Sequence, residues 1–164
     1  MAVVLVEGIT DRLALGAVAA RIGLDLGGVE IVPIGGAQAI RRAASEYEGR
    51  RVVGLCDAGE ERFFRRVLSD ATFVCVKDIE DELIRAVGVP RVEELLAAQG
   101  ELTTFRNFQN QPAWRGRPAA EGLPRWLQSA DRRRDRYLPL LVEMLEPDEI
   151  PAPLAGVLAA ATTG

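Results

Sequence analysis

Short apolar runs alternate with amphipathic segments over residues 1–76, and this alternation restricts the folds open to the chain more than any other feature. The runs are rich in valine and isoleucine, which favours buried strands, and the segments between them have helical spacing. Strands that are apolar throughout and separated by helices are typical of a parallel sheet with helices on both faces. The sequence therefore predicts an α/β fold with four parallel strands, over residues 2–6, 29–34, 51–56 and 72–76.

Three local features of this region lead to specific expectations. Thr10 is predicted to cap the first helix, which begins at Asp11 and extends to about Gly23. Pro33 predicts that the last residues of the second strand leave the sheet, because proline cannot donate to the ladder. Further helices are predicted over residues 37–47 and 60–68.

The chain from residue 78 onward is helical and less regular. Helices are predicted over residues 81–87, 92–99, 123–128 and 137–145, and one short helix beyond residue 147. Residues 101–117 show little of the regular apolar spacing that predicts a helix or a strand. We expect an α/β core over residues 1–87 and a C-terminal helical extension over residues 88–164 that packs on it.

The residue types present exclude several classes of enzyme. The chain has no histidine, which rules out His-based catalytic triads and His-ligated zinc sites. Lys77 is the only lysine among 20 basic residues, and no glycine run precedes it, so the phosphate-binding loop of P-loop ATPases is absent from this sequence. Cys56 and Cys75 lie in apolar runs, where we expect buried structural thiols.

Hydropathy and charge give two further expectations. No stretch approaches the ~18 apolar residues of a membrane span, so we expect no membrane partner and a cytoplasmic location. The net charge of −4 conceals a basic segment, because residues 106–136 carry eight arginines against three acidic residues. An acidic α/β core is therefore expected beside an arginine-rich helical segment.

Acidic residues follow three of the four predicted strands. They are Glu7 and Asp11 after the first strand, Asp57, Glu60 and Glu61 after the third, and Asp78 and Glu80 after the fourth. If these strands are adjacent, the carboxylates meet in one crevice, and their mutual repulsion calls for a counter-charge. A hard divalent ion such as Mg²⁺ or Mn²⁺ suits oxygen-only ligands. The alternative is that these residues are ordinary capping acids at helix N-termini.

Two motifs among these residues resemble the Toprim domain of topoisomerases, primases and nucleases. They are VLVEGITD at residues 4–11 and GLCDAG at residues 54–59. The likeness is strongest to the Toprim nuclease domain of the overcoming-lysogenization-defect (OLD) endonucleases, without their ATPase module. It covers about residues 2–87 and implies a Toprim-like fold.

The resemblance also implies a role for each acidic residue. Glu7 would ligate metal and assist proton transfer, and Asp11 would support a second metal. Asp57 would be the central ligand, and Glu80 would be the acidic residue after the fourth strand, with Asp78 beside it as a further ligand. The implied cofactor is one or two Mg²⁺ or Mn²⁺ ions, and the implied reaction is metal-dependent phosphodiester hydrolysis or phosphotransfer on nucleic acid, with DNA favoured over RNA.

Glycines and cations are expected to contact the phosphates of that nucleic acid. The candidates are Gly8, Gly35, Gly36, Lys77, Arg106, Arg115, Arg117, Arg132 and Arg133, together with Arg134. Bases could stack on the interleaved aromatic residues Phe105, Phe108, Trp114 and Trp126. The alternative is a solvated helical face with ordinary core aromatics.

Two departures from the Toprim pattern leave a second interpretation open. Gly59 stands where the second aspartate of Asp-x-Asp is expected, although Glu60 or Glu61 could replace that ligand. No lysine follows Lys77, so that residue or an arginine would act where some of these nucleases use a lysine. The chain could thus be a degenerate, non-catalytic Toprim module that binds nucleic acid or a separate ATPase partner, or that forms a homo-oligomer.

A phosphoacceptor receiver-like domain is the third interpretation. Such a domain also has an acidic pocket and a lysine, but it places paired acids after the first strand. Here Glu7 is followed by Gly8, and no fifth strand is predicted to carry the lysine. The receiver interpretation is therefore disfavoured.

Overall fold

The sheet consists of four parallel strands whose order differs from their order in the chain. The computed structural model describes residues 1–163. The strands are β1 (Ala2–Val6), β2 (Val29–Pro33), β3 (Arg51–Asp57) and β4 (Thr72–Cys75). They lie in the order β2-β1-β3-β4, and Val4 of β1 pairs with both Ile31 and Val53. The predicted four-stranded parallel α/β sheet is confirmed.

Nine helices belong to the described residues. They are α1 (Ile9–Arg21), α2 (Ile40–Glu46), α3 (Glu61–Leu68), α4 (Ile79–Val87), α5 (Val89–Ala98), α6 (Leu102–Gln109), α7 (Ala119–Gln128), α8 (Arg133–Glu143) and α9 (Ala152–Thr162). Single 3-10 turns precede α2, α3, β4 and α9, at Ala37–Ala39, Ala58–Glu60, Ser69–Ala71 and Pro147–Glu149.

Helices cover both faces of the sheet, as predicted. All five side chains of β1 are buried, and they alternate between two apolar clusters. Val4 and Val6 face α1 and the C-terminal helices, whereas Val3 and Leu5 face α2 and α3. This alternation explains why β1 is apolar at every position, since a strand covered on both faces has no solvent side.

The C-terminal helices share the larger of the two clusters with the sheet. That cluster includes Leu83 of α4, Leu141 of α8 and Leu158 of α9 together with Val4 of β1. α8 lies along α1, and α9 packs on β3 and β4. The helical extension therefore encloses one face of the sheet and brings α8 to the edge where the strands end.

The structure corrects three sequence-based expectations. Pro33 remains paired with Val6, because β2 is an edge strand on which a missing donor is tolerated. Thr10 is not a cap, since α1 begins at Ile9 and Gly8 is the N-cap residue. Residues 102–109, which lack clear periodicity, form α6 because Phe105 is buried in the core.

No helix within residues 1–163 is long and apolar enough to traverse a bilayer.

Candidate active site

A cavity of about 410 Å³ lies at the carboxyl ends of β1 and β3. The chain leaves β1 toward β2 on one side and leaves β3 toward β4 on the other, which makes this the point where open α/β sheets bind their ligands. We name the cavity the acidic crevice. Its lining residues are Glu7, Gly8, Asp11, Gly35, Gly36, Asp57, Asp78, Glu80, Gln128 and Arg134.

Glu7 and Asp57 follow the two central strands directly. Glu7 is the first residue after β1, and its carbonyl oxygen accepts a hydrogen bond of 3.0 Å from Gly35 N–H. Asp57 ends β3 in register with Cys75, and its side chain makes no capping hydrogen bond. Helix capping therefore does not explain Asp57, whose carboxylate is free to face the crevice.

Asp11 and Asp78 fit both interpretations that the sequence left open, because each stabilises a helix N-terminus and each lies in the crevice. Asp11 accepts a hydrogen bond of 2.8 Å from Gly8 N–H at the start of α1. Asp78 is the N-cap of α4 and accepts a hydrogen bond of 2.8 Å from Asp81 N–H. Both residues stabilise a helix N-terminus and also line the acidic crevice.

Glu80 is buried with a single cationic partner. Its side chain is 1% exposed and forms an ion pair with Arg134 of α8. Glu80 Oε1 and Arg134 Nε have no hydrogen-bond partner, so the two groups meet as charges without hydrogen-bond alignment. The sequence predicted a metal ion as the counter-charge of these carboxylates. Arg134 supplies part of that positive charge.

Four carboxyl groups of the crevice have a pKa above the ordinary value. Burial, together with repulsion from neighbouring carboxylates, raises the pKa of Asp57 to about 7. Burial is also the main cause that raises the pKa of Glu7, Asp11 and Glu80, and Arg134 opposes the increase at all three. Five carboxyl groups facing one guanidinium therefore form a site with excess negative charge.

The position of Arg134 depends on the junction between α1 and α8. The hydroxyl of Thr10 donates a hydrogen bond of 2.7 Å to Asp135 Oδ1, which links the first turns of the two helices. Arg132, which precedes α8, has φ of 58°. That left-handed residue turns the chain into α8 two residues before Arg134.

Neither proposed substitute for the missing aspartate at Gly59 lines the crevice. Glu61 is bound by Arg65 in an ion pair one helical turn away. Glu60 lies close enough to Glu7 to raise its pKa, but it does not line the cavity. The predicted replacement is therefore not provided by Glu61, and Glu60 remains a neighbour of the site.

Oxygen donors of the kind that hard divalent cations prefer line the crevice. In the described part of the chain, however, no group of three or more acidic or cysteine side chains is arranged to hold a metal ion as it stands. The contacts above give the reason, because Glu80 is paired with Arg134 and both Asp11 and Asp78 accept backbone hydrogen bonds. The donor chemistry fits a divalent cation, and binding one requires these side chains to reorient.

The predicted phosphate contacts from glycine need one correction. Gly35 and Gly36 line the crevice with φ of 77° and 120°, conformations that glycine adopts readily. The Gly35 N–H is already donated to Glu7, and the Gly8 N–H to Asp11. The Gly35 N–H therefore binds the backbone carbonyl of Glu7 and the Gly8 N–H binds the Asp11 carboxylate, so neither donor is free for a phosphate.

Three of the predicted phosphate-binding cations line cavities that share residues with the crevice, and a fourth lines a cavity beyond them. Lys77 and Arg117 line an adjoining cavity of about 470 Å³. Arg132 lines another adjoining cavity of about 330 Å³, which Arg134 shares with the crevice. Arg133 lines a third cavity of about 360 Å³, which shares Arg132 with the second, and its guanidinium donates to the carbonyl oxygen of Trp126 at 2.7 Å.

Two other predicted cations have partners elsewhere. Arg106 forms an ion pair of 2.9 Å with Glu93, and Arg115 donates to the carbonyl oxygen of Asn110 at 3.0 Å. Neither lines the crevice or its neighbouring cavities. Phe105 and Trp126 are buried in the core, so the ordinary structural interpretation is correct for these two aromatics.

Sequence reasoning missed two polar residues of α7. Gln128 lines the crevice and two of its neighbours, and Arg125 lines the 470 Å³ cavity. Both lie within the predicted arginine-rich segment, before Arg132, and belong to no motif. Their only signal was the excess of arginine in residues 106–136, which does not distinguish one position from another.

Comparison with known proteins identifies the fold. The family model for the TOPRIM domain of overcoming-lysogenization-defect-like proteins matches residues 1–52. The C-terminal region of the Burkholderia pseudomallei OLD protein superposes with a TM-score of 0.72 at 14% identity, covering 98% of this chain and 96% of that one.

A second solved structure agrees with the first. The C-terminal region of the Xanthomonas campestris pv. campestris OLD protein, phased with mercury, gives a TM-score of 0.67 at 18% identity, with coverage of 98% and 93%. No curated protein sequence matches the chain significantly. The predicted resemblance to the OLD Toprim domain is confirmed, in sequence over residues 1–52 and in fold over nearly the whole chain.

Proposed function

We propose that this chain hydrolyses phosphodiester bonds of nucleic acid, with DNA as the favoured substrate, by means of one or two divalent metal ions. The observation that carries the proposal is the acidic crevice, where carboxyl groups from the ends of three parallel strands meet at the ligand-binding point of the fold. The likeness to the OLD Toprim domain supports a function connected with nucleic acid.

Glu7 and Asp57 are the proposed principal metal ligands, because neither carboxylate is used in a capping hydrogen bond. Asp11, Asp78 and Glu80 are the proposed supporting ligands around them. A divalent cation bound there supplies the charge that polarises a scissile phosphate and lowers the pKa of an attacking water. The protein then needs no nucleophilic side chain, which agrees with its lack of histidine.

Arg134 and Glu7 have further proposed roles at the phosphate. The Arg134 guanidinium stays charged at any working pH, so it stabilises negative charge on the phosphate oxygens and cannot donate a proton. Glu7 is also proposed to assist proton transfer, a role that the likeness to the Toprim domain implies for this position.

A nicking assay on supercoiled plasmid DNA tests the proposal. We expect cleavage in Mg²⁺ or Mn²⁺ that stops when EDTA is added and is lost in Asp57→Ala. Asp70→Ala is the matched control, because Asp70 is an exposed aspartate in the turn before β4, at the opposite end of the strands. Undiminished cleavage by Asp57→Ala would place the activity at another site or in a contaminant.

A non-catalytic module that binds nucleic acid or a separate ATPase is the second candidate. Gly59 in place of an acidic residue, and the pairing of Glu80 with Arg134, both favour it. It predicts salt-sensitive DNA binding with no cleavage in Mg²⁺, Mn²⁺ or any other divalent metal tested. Cleavage that depends on Asp57 excludes this candidate.

A further inference from the structure

The cavity of about 470 Å³ opens directly beside the acidic crevice. It lies between the loop that joins β4 to α4 and the helix α7, and we name it the α7 groove. Asp78 and Gln128 line both the groove and the crevice. A ligand in the crevice therefore has a direct path past these two residues into the groove.

Two cations of the α7 groove are without an acidic partner. Lys77 and Arg125 line the groove, and neither forms an ion pair with any residue between 1 and 163. The polar contact of Arg125 is a long one, 3.5 Å from its guanidinium to Gln128 Oε1. Exposed cations that converge on one concave surface attract an anionic ligand.

The acidic residues of the groove are already engaged. Asp81 is paired with Arg85 at 2.8 Å, and Glu121 is paired with Arg117 at 3.0 Å. Asp78 accepts the backbone hydrogen bond that caps α4. Asp81 and Glu121 are thus paired with arginines and Asp78 is bonded to backbone, which leaves Lys77 and Arg125 as the cations of the groove that have no acidic partner within residues 1–163.

A third cation is fixed in the wall of the groove. The Arg117 guanidinium lies 4.7 Å from the centroid of the Trp114 ring, and that ring stacks on Phe108 at 5.1 Å between centroids. Glu121 holds the same guanidinium from another side. Arg117 is therefore held in a defined position in the wall, and its charge is shared with Glu121.

We infer that the α7 groove binds the sugar–phosphate backbone of the nucleic-acid strand adjacent to the bond held in the acidic crevice. Lys77 and Arg125 contact the phosphate next to the scissile one, and Arg117, paired with Glu121, offers guanidinium donors from the wall. The strand passes from crevice to groove beside Gln128. This inference rests on the proposed function, because it takes the occupant of the crevice to be a phosphodiester.

Fluorescence anisotropy of labelled DNA, as a single strand and as a duplex, tests the inference. Ca²⁺ in the buffer supports binding, and Kd is measured over a range of salt. We expect Lys77→Ala and Arg125→Ala each to weaken binding roughly three- to tenfold, and to lower the slope of log Kd against log salt by about one. Arg66→Ala is the matched control, since Arg66 is exposed and unpaired among the described residues, on α3 across the sheet.

The outcomes separate this inference from the proposed function. If the wild-type chain cleaves DNA but both variants bind as tightly as the wild type, the groove assignment is wrong and the nuclease assignment stands. If both variants lose affinity while no metal supports cleavage, the groove is a nucleic-acid site on a non-catalytic module. If the wild-type chain binds no DNA, both assignments are overturned.

Discussion

The guanidinium of Arg134 forms an ion pair with Glu80, whose carboxylate is buried among other carboxylates. Arg134 comes from α8 and Glu80 from the first turn of α4, so the pair joins two helices that approach the crevice from different directions. The acidic crevice thereby carries a permanent positive charge of its own. Metal binding would compete with this cation for Glu80.

Arg134→Ala tests the contribution of the ion pair to stability. The substitution leaves Glu80 buried without its counter-charge, and breaking a pair of this kind typically costs several kcal/mol. Because Arg134 is partly exposed, we expect a loss of about 2 kcal/mol in the free energy of unfolding. Arg134→Lys should recover part of it. Urea denaturation at neutral pH measures the effect, and Arg66→Ala again provides the control. If Arg134→Ala is as stable as the wild type, the Arg134–Glu80 ion pair does not stabilise the fold.

The stability of the metal-free chain should fall as the pH rises. Asp57 has a folded-state pKa of about 7, against about 3.9 in an unfolded chain. Its contribution to stability is therefore fully present below about pH 4 and is lost as the pH rises through about 7, because the folded state holds a proton that the unfolded state has released. We expect the melting temperature in EDTA to decrease between about pH 5 and pH 8.

Asp57→Asn should reduce this pH dependence, because the amide does not titrate. Glu7, Asp11 and Glu80 have pKa values shifted in the same direction, so a smaller decrease should persist in the variant. Asp70→Asn, at an exposed position, should follow the wild type. A wild-type melting temperature that stays level or rises with pH over this range would contradict the raised pKa of these four carboxyls.

Gly54→Ala tests the close packing of α3 on β3. A Cβ atom at this position would lie 2.7 Å from Phe64 Cδ1 and from Leu68 Cδ1. Phe64 is fully buried and cannot move away, so we expect a destabilisation of about 2 kcal/mol in urea. Gly16→Ala is the matched control: a Cβ atom added there, inside α1, meets no atom within 4 Å beyond the adjacent helix backbone and chain neighbours. We expect it to stabilise the chain by about 0.5–1 kcal/mol. If Gly16→Ala destabilised the chain as much as Gly54→Ala, both effects would come from backbone conformation and not from close packing.

The two cysteines should be unreactive in the folded chain. Both are buried, and burial with the neighbouring Asp57 raises the pKa of Cys56 to about 12 and that of Cys75 well above its usual range. Ellman's reagent at about pH 8 should therefore react with both thiols in denaturant and with neither in native buffer. Rapid reaction of one native thiol would indicate that the sheet opens at β3 or β4.

Much of the fold could be predicted because the buried strands are continuous apolar runs in the sequence. β1 is apolar at every position because both of its faces are covered, and the same burial makes the pattern visible in the sequence. α6 was not predicted, since its helical position is determined by the burial of Phe105 against distant residues such as Trp126. Local periodicity does not report such contacts.

The sequence was enough to predict which carboxylates form the candidate site. It was not enough to predict which cation pairs with them. Glu7, Asp57 and Glu80 stand at strand ends, and parallel topology brings strand ends together. Arg134 was one arginine in a cluster of similar residues, and its selection as the partner of Glu80 depends on how α8 docks on α1. That docking is a tertiary contact which spacing along the chain cannot supply.

The side-by-side packing of α1 and α8 also bears on the synthesis of the chain. Translation delivers Glu7, Asp11, Asp57 and Glu80 well before Arg134, and domains begin to fold as they emerge from the ribosome. A nascent chain that has formed only the sheet and its first helices holds an acidic pocket without its cation. The carboxylates acquire Arg134 only once α8 has left the exit tunnel and settled against α1, so the assembly of this site is a late event in biosynthesis.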